Sequence, residues 1–157
     1  MDITMMASLA KAGAAAALAV AAMGSAIGTG IAGMAAIGAW KKCYAQNRAA
    51  PFLLLIFIGA PLSQTIYGLI LMNGMIRTSN DAVQQNLASV EWPAMLTAGI
   101  LGGLAMAMSA AWQGKAGAAG ADSLAETGQG FGNYLMTIGV IETVALFVMV
   151  FIQGALQ

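Results

Sequence analysis

The chain has 157 residues, of which 60% are hydrophobic and 8% charged, with six basic and six acidic side chains and no net charge. A soluble domain carries about 25% charged residues, so this composition excludes an ordinary water-facing surface and makes the bilayer the solvent. Balanced charge without a basic run excludes a nucleic-acid footprint, the absence of histidine excludes imidazole chemistry, and a lone Cys43 forms neither an intrachain disulfide nor a cysteine metal cluster.

A helix needs about 20 residues to cross the hydrocarbon layer. Four stretches qualify, and the fold class expected is an all-α integral membrane protein. The first, over about 9–39, is mostly Ala and Gly. It lacks the basic flank of a signal peptide, so it is expected to be a retained helix. The second, over about 51–75, is rich in Leu, Ile and Phe. The third, over about 93–121, is again small and glycine-rich, and the fourth, over about 131–156, carries Val, Leu, Phe and Met. Two tandem hairpins result, 1–79 and 80–157. The connections between the stretches are polar and hold Lys41, Lys42 and Arg48, then Arg77, Asp81 and Glu91, then Asp122 and Glu126. Cys43 reads as a small residue in the first of these loops. Counting Lys115, the two hairpin-loop ends carry four basic residues against Lys11 and Arg77 at the other side. The positive-inside rule then places the hairpin loops in the cytoplasm and both termini outside. Trp40 and Trp92 read as interfacial anchors.

The halves repeat. Ser25-Ala26, Thr29-Gly30 and Ala32-Gly33 match Ser109-Ala110, Gln113-Gly114 and Ala116-Gly117 at an offset of 84. The stretch Leu62 to Tyr67 lies against Glu142 to Phe147 at an offset of 80. Gly24 and Gly28 form a GxxxG pair, as do Gly99 and Gly103, continued by Ala107 and Ala111. Small residues at this spacing let helix backbones approach closely in lipid. Small helices inside and bulky helices against the acyl chains satisfy both compositions, in a closed ring of copies or in a compact monomer. Gly28 to Gly33 fits G-x-G-x-x-G, but a dinucleotide site needs a strand before it and a polar helix after it. The motif here lies inside an apolar helix and reads as packing.

The polar residues within the apolar stretches carry the functional reading. Glu142 lies 11 residues past Phe131, about 16 Å along a helix. An ionised carboxylate at that depth costs about 2.5–3.5 kcal/mol, so it must be protonated, paired or bound to a cation. Lys115, the nearest basic residue, is expected to snorkel towards the loop side. Ala60, Ser63, Gln64 and Tyr67 share one face of the second helix. Pro61 lacks an N–H and frees the carbonyl of Phe57. Thr65 reads as bonding its own backbone. Gln113 and Glu142 are centred between residues 127 and 128, inside a hairpin loop, and so fall at similar depth. One carboxylate, two amides, hydroxyls and a carbonyl form an oxygen-only shell suited to a hard cation. A single carboxylate balances one positive charge, so Na⁺ or H⁺ fits better than a divalent ion. The glutamines also admit a packing role as hydrogen-bonding glue between helices.

These stretches, Ala60-Pro61-Leu62-Ser63-Gln64-Thr65-Ile66-Tyr67-Gly68, Ser109 to Lys115, and Ile141-Glu142-Thr143, resemble the duplicated proteolipid subunit of V-type and A-type rotary ATPases, its sodium-carrying form in particular. The resemblance covers nearly the whole chain. It implies a ring of copies turning against a stator subunit with an essential arginine and joined to a central stalk. It implies an ion site made of the Ala60 carbonyl, the Ser63 hydroxyl, the amides of Gln64 and Gln113, and Glu142, with Tyr67 bonding the carboxylate. Ser63 stands where the sodium type carries threonine, and Leu62 stands in the first hairpin where Glu142 stands in the second. The subunit implied is not itself an enzyme; ATP chemistry belongs to other subunits, and the chain has no P-loop. The sodium-type shell points to a prokaryotic plasma membrane. The competing reading from the residues alone is a small, self-contained cation-coupled secondary transporter, where duplicated halves and a midplane polar site also occur.

Overall fold

The computed structural model describes residues 1–156, and among these every regular element is helical. Helix α1 spans Ile3–Ala45, α2 Leu54–Gly59, α3 Ser63–Gln84, α4 Trp92–Thr127 and α5 Phe131–Ala155. A single 3₁₀ turn, Ala60–Leu62, joins α2 to α3. The break sits at Pro61, as its missing N–H dictates. With α2 and α3 taken as one interrupted span, four helices are long and apolar enough to cross a membrane. The protein is an integral membrane protein of all-α fold.

The helices outrun the apolar stretches. α1 has 43 residues, about 64 Å at 1.5 Å per residue, against a hydrocarbon layer of about 30 Å. Bilayer thickness limits the apolar run and not the helix, so polar segments rich in helix formers continue it into water. Cys43 therefore lies on α1, not in a loop, buried beside the Ala125 carbonyl. The polar stretch after Ala121 is likewise helical to Thr127, and the turn shrinks to three residues. Gly128 and Gly130 make that turn with φ of 69° and 83°, left-handed values that a Cβ would strain. Asn47 and Asn86, at φ of 52° and 50°, end α1 and α3 in the same conformation.

α1 and α4 run parallel and form the spine. Their seam is backbone on backbone: Gly99 meets Gly13, Gly28 meets Gly114, and Gly24 meets Ala107. A Cβ on Gly13 would lie 2.5 Å from the Cα of Leu96. In lipid, dispersion from such close approach replaces the hydrophobic drive between helices. The seam pairs small residues of the two hairpins, Gly13 with Gly99 and Gly28 with Gly114 each 86 positions apart, so the hairpins associate through their small faces. α3 packs on α1 and α5 on α4, with bulky residues such as Ile66, Phe147 and Phe151 exposed on the outside. At the loop end, Lys42 Nζ lies 3.2 Å from Glu126 Oε1. Arg48 Nη1 donates to the carbonyls of Ala125 and Glu126 at 3.2 and 3.3 Å, which satisfies acceptors at the end of α4.

Two apolar clusters divide the interior. One, near the termini, includes Leu71, Met75, Met95 and Met149. The other, near the hairpin loops, includes Leu54, Phe57, Leu124 and Ile138. Phe57 anchors the second, its ring 5.7 Å from that of Phe131 and 6.5 Å from that of Tyr134. A polar layer lies between the two clusters.

Candidate functional site

That layer gathers residues from the 3₁₀ turn, α3, α4 and α5. Glu142 is half-buried near the middle of α5, and both its oxygens are engaged. Tyr67 Oη donates to Oε1 at 2.6 Å, and Gln113 Nε2 donates to Oε2 at 3.1 Å. Gln113 Nε2 also lies 3.3 Å from the carbonyl of Ile138. Gln64 Nε2 donates to Gln113 Oε1 at 2.9 Å and reaches Ser109 Oγ at 3.3 Å. Ser109 Oγ donates to the Ile141 carbonyl at 2.9 Å. Both glutamines are 0% exposed, so each amide group must find its partners inside the protein.

The far side of Gln64 is oxygen-rich. Ser63 Oγ stands 3.1 Å from the Ala60 carbonyl and 3.2 Å from Gln64 Oε1. A hydroxyl has one proton, so it satisfies one of these acceptors at a time. Three oxygens with spare lone pairs thus adjoin one another: Ala60 O, Ser63 Oγ and Gln64 Oε1. Ala60 O takes its place from the 3₁₀ turn, in which it also accepts the Ser63 N–H. Among the described residues no group of three or more His, Cys, Asp or Glu converges, and Glu142 is the one formal charge in the hydrogen-bonded layer.

All six residues singled out in the sequence, Ala60, Ser63, Gln64, Tyr67, Gln113 and Glu142, fall in one connected network. Gln113 and Glu142 lie at the same depth, as their symmetric placement about the turn requires, since the bend at Gly128 to Gly130 brings them side by side. Ser109 also belongs to the network and was not singled out. Its signal was its spacing, four residues before Gln113 on the same helical face. Lys115 departs from expectation: its Nζ lies 4.1 Å from the centre of the Trp112 ring, folded back by one turn and not extended towards the loop. Cation–π attraction in a low-dielectric setting holds it there. Thr65 shows no side-chain bond to its backbone; Thr143 does, to the Val140 carbonyl at 2.7 Å.

The first hairpin has no matching network. Ser25 and Thr29, the counterparts of Ser109 and Gln113, have buried hydroxyl oxygens without a partner. Leu62, at the place of Glu142, is 50% exposed on the outer surface. Among the described residues the chain therefore carries one such site.

Tyr67→Phe deletes the donor to Oε1 and changes little else in shape. Bonds to a charged acceptor contribute about 1.5–3 kcal/mol, so the unfolding midpoint of the purified protein should fall by several degrees. An unchanged midpoint would show that the phenol is only packing.

No curated protein matches the chain. Residues 96–152, which take in most of α4 and α5 with Ser109, Gln113 and Glu142, match the family model of the C subunit of ATP synthase, and over that second hairpin the protein is similar to the proteolipid family.

Proposed function

We propose that this protein is a membrane-rotor subunit of a V/A-type ATPase, carrying one Na⁺ per protomer across the membrane as a ring of copies turns. The family matched over residues 96–152 consists of ion-carrying rotor subunits that are not catalytic by themselves. The observation that carries the sodium reading is the placement of Ala60 O, Ser63 Oγ and Gln64 Oε1 at one end of the chain of hydrogen bonds that ends on Glu142. A proton site needs one carboxylate and one acceptor. A sodium site needs several neutral oxygens and one negative charge.

In this reading the Gln113 N–H beside Glu142 fills the electropositive role that a bound cation takes over. Turning that amide exchanges its donor for an acceptor on the same side. Na⁺ is then cargo: it neutralises Glu142, which lets the carboxylate pass the lipid-facing part of the cycle. A stator arginine draws the bare carboxylate and favours release. The hairpin loops face the cytoplasm and meet the central stalk, and the membrane is a prokaryotic plasma membrane.

The test is labelling of Glu142 by a carboxyl-reactive carbodiimide, which attacks the protonated acid, across pH and with Na⁺ or K⁺ added. Na⁺ should protect Glu142 and K⁺ should not. Gln64→Ala should raise the Na⁺ concentration needed for half-protection by about tenfold or more, the effect of removing one buried ligand to a charge. Protection that is absent, or equal for both cations, overturns the sodium reading and leaves H⁺ as the cargo.

A further inference from the structure

A second polar feature lies far from the carboxylate. An open cavity of about 940 Å³ opens between α3, the segment leading into α4, and the end of α5. That is within the size range of small-molecule sites. Its walls combine Asn73, Arg77 and Asp81 of α3, Glu91 before α4, and Gln153 of α5. Ile70 and Leu156 form its apolar floor.

Its depth follows from the helices. Tyr67 touches Glu142, near mid-span, and Arg77 is ten residues further along α3, about 15 Å. Gln153 is eleven residues beyond Glu142 on α5, about 16 Å. Half of a hydrocarbon layer is about 15 Å. Both walls therefore reach the level of lipid headgroups. Towards the midplane, the outer surface of α3 continues as exposed Ile66, Leu69 and Ile70, a surface for an acyl chain.

We infer that this groove binds a zwitterionic phospholipid with a primary ammonium, of the phosphatidylethanolamine class, from the leaflet on the termini side. The charges match the headgroup in kind. Arg77 is the phosphate ligand, its guanidinium presenting paired donors to two oxygens. Its contact with Asp81 is long, 3.9 Å, and largely exposed, so little holds it back from a lipid. Asp81 and Glu91 are acceptors for the ammonium. With one cation and two carboxylates, the groove carries net negative charge, which disfavours an anionic lipid. A trimethylated ammonium has no N–H to give, so choline lipids lose these bonds.

The experiment uses the purified protein in its native assembly, stripped of lipid and offered equal amounts of phosphatidylethanolamine, phosphatidylcholine and phosphatidylglycerol, with retained lipid counted by native mass spectrometry. Phosphatidylethanolamine should be retained about tenfold over each of the others, the factor expected of one charge-assisted pair. Arg77→Gln should bring it down to the phosphatidylcholine level. Asp81→Asn with Glu91→Gln should erase the preference for ethanolamine over choline and raise phosphatidylglycerol. These side chains are exposed, so the helical circular dichroism should stay unchanged. Equal retention of the three lipids, or retention indifferent to Arg77→Gln, overturns the proposal. So does full displacement of the lipid by soluble phosphoethanolamine, which would assign the groove to a free headgroup compound.

Discussion

Glu142→Gln is expected to abolish ion-coupled transport while the protein still folds and assembles. The change is isosteric and removes only the charge. Tyr67 Oη keeps an acceptor in the new amide, at the bond that is 2.6 Å long in the native protein. The amide has a single oxygen, so with that oxygen on Tyr67 its nitrogen faces Gln113 Nε2 and the bond from Gln113 is lost. The folding cost is therefore about that of one lost hydrogen bond, near 1 kcal/mol. The transport cost is of another order. No other carboxylate joins the network, and the first hairpin offers Leu62 in its place. A neutral amide cannot compensate a cation in a medium where an uncompensated charge costs several kcal/mol. Transport by the reconstituted complex should fall at least about a hundredfold, the factor that roughly 3 kcal/mol gives. The assembly should survive detergent extraction with the native mass. Native-like transport in the variant would sink the role given to Glu142 and leave its burial unexplained.

The second large effect concerns the seam between α1 and α4. A methyl added at Gly114 would overlap the backbone of Gly28, and one at Gly99 would overlap that of Gly13. Backbone cannot swing aside as a side chain does. Gly114→Ala should therefore force the helices apart, at a cost of about 3 kcal/mol or more. Gly30 and Gly38 supply the control, since a Cβ at either meets nothing within 4 Å. Gly30→Ala and Gly38→Ala should be neutral or stabilising by up to about 1 kcal/mol, because alanine is the better helix former. Thermal unfolding of these variants and Gly99→Ala in one detergent measures the contrast. Equal midpoints would mean that the close approach carries no stability.

Much of this was legible in the sequence, for identifiable reasons. An apolar run of the right length has few fates, so the four crossings were plain. The GxxxG pairs Gly24/Gly28 and Gly99/Gly103 marked the helices that approach closely, and Gly24, Gly28 and Gly99 lie in the seam. Glu142 stood out because a membrane-buried acid is costly wherever it occurs. The helix ends were not legible. Hydropathy reports where the bilayer ends, while α1 and α4 continue through Cys43 and Glu126 in water. Ser109 was obscured because serine in a membrane helix usually bonds its own backbone; only the carbonyl of Ile141 opposite gives it a tertiary role. Lys115 was misread because chain length favours reaching outward, whereas the neighbouring Trp112 ring sits one turn back.

The seam also has a mechanical consequence. Side chains between two helices act as springs, since each can change rotamer under load. Where Gly13 meets Gly99 and Gly28 meets Gly114 there are no such springs. The paired helices then resist twisting against each other as one stiff shaft. Compliance is left to the 3₁₀ turn at Ala60 to Leu62, where the helical ladder is already interrupted. In the proposed rotor, a load taken up at Glu142 on α5 would reach this stiff pair through Gln113 of α4, and little of it would be lost to twist between α1 and α4.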